Sequence, residues 1–148
     1  MKSAGCRDDA AWVSINLYGT TSAAEADGSG DVFELTPNSS GWTETVLHAF
    51  HGNDGSYPKA GVILDTSGNL YGTTSYGSLF DGTVFQLVRN SGEWNENVLY
   101  KFGGGTDGGE PESSLLLDKF GNLYGSATSG GALGWGCIFQ VTSESSRH

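Results

Sequence analysis

Asn69-Leu70-Tyr71-Gly72-Thr73-Thr74 decides the fold, because its first four residues recur as Asn16-Leu17-Tyr18-Gly19 and as Asn122-Leu123-Tyr124-Gly125, each copy 53 residues from the next. A fixed spacing of this kind marks an array of structural repeats. A period of 53 residues is longer than leucine-rich or ankyrin units and close to that of propeller blades. Outward from Asn69 the chain consists of short strand-like stretches joined by glycine-rich connections. No helical periodicity competes, so the expected fold is all-β.

The second unit is the most complete. It reads as strands over 61–65, 69–74, 83–88 and 96–102, and four strands per unit is the blade count of a propeller. Between the first two strands stands Asp65-Thr66-Ser67-Gly68, matched in the third unit by Asp118-Lys119-Phe120-Gly121. An aspartate that opens and a glycine that closes a four-residue turn predict a type I turn, its carboxylate accepting backbone N–H groups two residues on. Asp65, Gly68, Asp118 and Gly121 are therefore read as structural turn residues that pin a hairpin register. In the first unit 16–21, 31–36 and 44–50 read as strands and 37–41 as a turn, with Val46, His48 and Phe50 alternating against Thr45, Leu47 and Ala49. The third unit offers 114–118, 122–127 and 136–141, without a fourth strand.

The expected organisation is a degraded N-terminal segment at 1–15, repeats over 16–59, 60–112 and 113–142, and a tail at 143–148. This predicts a propeller-like array of about three four-stranded blades. Two readings of its incompleteness stay open: a fragment of a longer array, or a ring of about six blades closed by self-association of two copies.

Composition narrows the partners. The 24 glycines in 148 residues are more than twice the usual ~7% and imply many tight turns. A net charge of −10 supplies no basic stripe for phosphates and argues against nucleic acid or an anionic membrane. No apolar run is long enough for a membrane span. Met1 to Asp9 lacks an apolar signal core, so either the chain is cytoplasmic or a leader lies outside it. Cys6 and Cys137 are read either as one bridge tying the ends of the array or as two unpaired thiols.

The co-spaced motifs are Asp65-x-x-Gly68-Asn69-Leu70-Tyr71-Gly72-Thr73-Thr74, Gly82-Thr83-Val84-Phe85-x-Leu87, Val98-Leu99-Tyr100-x-Phe102 and Asp107-Gly108-x-x-Pro111. Together they resemble the GloVer tandem repeat of bacterial exported proteins, over Asn16 to about Val141. The resemblance implies a propeller-like repeat protein, extracellular or cell-surface in its parent context, without established catalysis. Ser126-Ala127 stands where Thr-Thr is expected.

If strand order follows sensor-type propellers, the loops between blades and those joining second to third strands share one acidic rim. Asp54 and Asp107 recur once per unit in Asp-Gly-x-x-Pro loops, and Asp27, Asp81 and Glu110 fall in the same set. Two readings of Asp54 and Asp107 compete: oxygen ligands for a hard cation such as calcium, or caps of their own turns. The turn reading is preferred, and no cofactor is expected. Tyr18, Tyr71 and Tyr124, with Trp42 and Trp94, are read as packing residues that recur once per unit. Trp135 has no counterpart and is the better candidate for a ligand such as carbohydrate. His48, His51 and His148 show no metal-ligand spacing. The expected function is a non-catalytic extracellular module for binding or scaffolding. The alternatives are a glycosidase-like carbohydrate-active enzyme using paired rim carboxylates, and a fragment without independent function.

Overall fold

The computed structural model describes residues 15–23 and 28–142, which form three antiparallel sheets. The first holds β1 (Leu17–Thr21), β2 (Asp31–Asn38) and β3 (Gly41–Ala49) in that order. The second is a four-stranded meander of β4 (Ile63–Leu64), β5 (Leu70–Thr74), β6 (Thr83–Asn90) and β7 (Glu93–Lys101). A single 3-10 turn at Gly105–Asp107 then leads to β8 (Gly109–Pro111), β9 (Leu116–Leu117), β10 (Leu123–Ser129) and β11 (Cys137–Val141). In this third sheet β10 pairs with β11 on one side and with β9 and β8 on the other.

Only the second sheet shows the expected set of four strands. The first has three among the described residues, since 1–14 lie outside them. The third reaches four through β8, a strand the sequence reading does not contain. Gly109 and Ser129 pair there, and the residues 53 positions earlier, Ser56 and Tyr76, form an isolated bridge. The segment between units thus leans on the next unit's second strand in both cases.

The alternation expected across 44–50 fails for one reason. In the β2–β3 ladder Val32 faces His48 while Phe33 faces Val46, so Leu47 is an extra residue in a bulge. Val46 and His48 consequently lie on opposite faces. The second sheet repeats this at Leu99, with Val84 opposite Tyr100 and Phe85 opposite Val98. The predicted 37–41 turn narrows to Ser39-Ser40, because β2 runs through Pro37 to Asn38.

Two apolar layers hold the sheets together. Val32 and Phe50 of the first unit pack on Leu70, Phe85 and Leu87 of the second, all fully buried. One unit on, Val84 and Phe102 pack on Leu115 and Leu123. The recurring glycine has a packing cause: a Cβ at Gly72 would lie 2.6 Å from Phe85 Cζ, and one at Gly125 2.4 Å from Phe139 Cζ. The aromatic ring of the third strand lies across the glycine of the second, which explains why the motif cannot carry a side chain there.

Trp94 packs against the first layer and meets Tyr18 edge-on at 6.4 Å. Trp42, expected to pack likewise, is 54% exposed. No sheet precedes the first among the described residues, so the face that carries Trp42 has no neighbour there.

Candidate functional site

The turn residues act through one carboxylate. Asp65 Oδ1 accepts the N–H groups of Ser67 and Asn69 at 2.8 and 2.9 Å, and Oδ2 accepts Asn69 Nδ2 and the Tyr71 hydroxyl at 2.8 and 3.0 Å. Gly68 closes the turn at a φ of 83°. Asp118 holds Phe120, Asn122 and Tyr124 in the same way, with Gly121 at 84°. Burial acts to raise the Asp65 carboxyl, but the bonds from Asn69, Tyr71 and Ser67 outweigh it and hold the pKa below the usual carboxylate range. Tyr71 is pushed up by burial and then by Asp65. Gln86 Nε2 completes the relay by donating to the Tyr71 hydroxyl at 2.8 Å, as Gln140 does to Tyr124 at 3.2 Å.

The first unit solves the same problem differently. Trp12 stands where the others have Asp65 and Asp118, and Glu34 stands where they have Gln86 and Gln140. Glu34 Oε1 accepts both Asn16 Nδ2 at 2.6 Å and the Tyr18 hydroxyl at 2.9 Å. The carboxylate has moved from the turn to the neighbouring strand while the Asn-Tyr pair keeps its acceptor. Aligning the repeats residue by residue would have exposed this paired change.

The rim loops lie against one another. The Glu110 N–H donates to the Asp81 carbonyl at 2.7 Å, and the Tyr76 hydroxyl to Glu110 Oε2 at 2.7 Å. Lys59 pairs with Glu112, its counterpart one unit on. Asp54 and Asp107 are each engaged by their own unit. Asp54 Oδ1 accepts the His51 N–H at 2.9 Å and its Oδ2 lies 2.9 Å from His48 Nε2. Asp107 Oδ2 accepts the Gly103 N–H at 2.8 Å while Tyr100 donates to Oδ1. Trp135 is 89% exposed in its glycine-rich loop. Asp27 and Cys6 lie outside the described residues.

A group that sequence reasoning passed over sits between the first two sheets. The ligand atoms of His48, Asp54 and Glu96 all lie within 4.8 Å of one another. Glu96 comes from β7 of the second sheet, paired across the ladder with Leu87 and so on the face that packs against the first. His48 is turned toward it by the Leu47 bulge. No sequence spacing could have suggested this, since 48 residues separate His48 from Glu96.

Comparison with known proteins adds the family. Residues 12–148 match the family model of the Gloeobacter/Verrucomicrobia repeat. The chain belongs to this family. No curated protein and no solved structure matches it. No helix among the described residues is long and apolar enough to cross a membrane.

In this Gloeobacter/Verrucomicrobia repeat chain the unusual titrating group is Glu96. Burial, then the Asp54 carboxylate, raise its pKa from 4.5 to about 7, against the pull of Lys101. The folded state therefore holds a proton that the unfolded state has lost between pH 4.5 and about 7, and stability falls as pH rises through that window. Because the side chain keeps partial contact with solvent, screening limits the loss to about 1–2 kcal/mol. Urea midpoints in chelator at pH 5 and pH 8 measure it. Glu96→Gln is expected to remove this part of the slope; an unchanged slope would refute the assignment.

Proposed function

We propose that the chain is a non-catalytic scaffolding module of propeller-like architecture, extracellular in its parent context, in which like sheets stack face to face and present an acidic rim. One observation carries the reading: the outer faces of the array bear the same residue types that its inner faces bury. Val32 and Val84 are fully buried between sheets, whereas their counterpart Ile138 on the third sheet is 86% exposed. Beside it Leu116, the counterpart of the half-buried Ile63, is 72% exposed. Together with Ser113, Ser114, Tyr124, Gly125 and Ser126 they line a groove of about 290 Å³. At the other end Leu17 is 48% exposed where its counterpart Leu70 is fully buried.

The two end faces are thus complementary in the way the internal ones are, and a second copy can cover the third sheet with its first. The non-catalytic reading draws on the rim carboxylates, since Asp54, Asp107 and Glu110 each bond within or beside their own loop. Exposed Trp135 offers a flat apolar surface suited to carbohydrate.

Light scattering across a concentration series tests the stacking. Twice the chain mass is expected at high concentration, with a single cooperative melt. Burying a side chain such as Ile138 is worth about 1.5–3 kcal/mol, so Ile138→Glu is expected to weaken association by about 10–100-fold. A wild-type chain that stays monomeric throughout, or an Ile138→Glu chain with unchanged association, would overturn the reading.

A further inference from the structure

We propose that His48, Asp54 and Glu96 form a divalent transition-metal site of the zinc class that clamps the first sheet to the second. It stands independently of the stacking of end faces.

Glu96 Oε1 exposes less than 1 Å² and accepts no hydrogen bond. A buried carboxylate oxygen without a donor is costly, and the groups facing it worsen the problem. The Asp54 carboxylate opposes its charge, while the nearby cation, Lys101, is directed elsewhere: its Nζ lies 3.4 Å from the Asn53 carbonyl and 4.5 Å from the centre of the Phe80 ring. A divalent cation relieves the repulsion, because it compensates both carboxylates and takes the imidazole nitrogen as well.

Geometry and ligand type select the metal. His48 Nε2 and Asp54 Oδ2 are 2.9 Å apart and all three ligand atoms lie within 4.8 Å. Tetrahedral zinc, with bonds of about 2.0–2.2 Å, sets its ligand atoms about 3.3 Å apart, so His48 and Asp54 must part slightly while Glu96 draws in by rotation of its side chain. An imidazole among the donors favours zinc-class ions over calcium or magnesium, which take oxygen ligands. Three protein ligands leave one position for water. The Asp54 backbone loop is already fixed by the His51 N–H on Oδ1, which leaves Oδ2 aimed at the site.

The repeats supply the controls. In the second unit Tyr100 and Asp107 stand at the places of His48 and Asp54, and Tyr100 donates to Asp107. His48→Tyr therefore copies an arrangement the fold already uses, and it removes the nitrogen ligand. Glu44 faces Leu35 as Glu96 faces Leu87, but on the outer side of the array. Glu44→Gln should leave the site untouched.

The test is calorimetric titration of the full chain with zinc chloride, together with thermal melts and cobalt(II) spectra. The expected result is one saturable equivalent in the wild type and in Glu44→Gln, with a zinc-dependent rise in melting temperature. Glu96→Gln and His48→Tyr should both remain folded and lose at least about tenfold in affinity. Cobalt should give a spectrum without thiolate charge transfer, which separates this site from binding at Cys137 or Cys6. The absence of saturable binding would overturn the proposal, as would wild-type affinity in Glu96→Gln and His48→Tyr, or a thiolate spectrum.

Discussion

Phe85→Ala is expected to lower the unfolding free energy by about 3–5 kcal/mol, read as a shift in the urea midpoint at constant slope. Phe85 is fully buried at the centre of the layer between the first two sheets and meets Phe50 edge-on at 5.1 Å. Truncation removes both the transfer free energy of the ring and its contacts. The space cannot collapse easily, because the ring lies over Gly72, which has no side chain to follow it inward.

The same contact gives a coupling. A Cβ at Gly72 would sit 2.6 Å from Phe85 Cζ and 3.1 Å from Val62 Cγ1, so Gly72→Ala overpacks and should cost about 1–3 kcal/mol. In a Phe85→Leu background the penalty should shrink, and a double-mutant cycle reads the difference. A cost below about 1 kcal/mol for Phe85→Ala would mean that the sheets do not pack at this face.

Asp65→Ala is expected to cost about 2–3 kcal/mol, because one carboxylate satisfies two backbone N–H groups, the Asn69 amide and the Tyr71 hydroxyl. Its loss leaves the half-buried Tyr71 hydroxyl to Gln86 alone and frees the turn that sets β4 against β5. Asp65→Asn should recover part of the loss, since its carbonyl oxygen replaces one acceptor while its amide presents donors to the other two partners. The native Asp65 pKa is depressed, so its contribution is full above the unfolded value of 3.8 and lost as pH falls through the folded one. Chemical denaturation at pH 7 and pH 3 should therefore show the difference between wild type and Asp65→Ala shrink in acid. A difference that persists unchanged at low pH would assign the effect to the backbone of the turn and not to the charge.

How far the sequence could be read follows the range of the interactions. Asn-Leu-Tyr-Gly and its spacing revealed the three units because the glycine, the tyrosine and the turn aspartate act on partners within one hairpin. The second sheet shows the result, with Leu70 opposite Leu87 and Tyr71 opposite Gln86. The exchange of Trp12 and Glu34 for Asp and Gln was also present in the residues, and only a strict alignment of the units was needed to see it. The bulges at Leu47 and Leu99 were hidden, since a single extra residue leaves no mark in an alternating apolar pattern.

By itself, then, the sequence determined the repeat, the all-β class and the turn chemistry, all of which depend on neighbours a few residues apart. Tertiary structure decided which face each strand buries, that Trp94 packs while Trp42 does not, and that His48 and Asp54 meet Glu96. The physical reason is that these outcomes depend on how one sheet stacks on the next. Burial between the sheets, and then Asp54 of the preceding unit, raise the pKa of Glu96 on β7, and nothing in its own flanking residues records them.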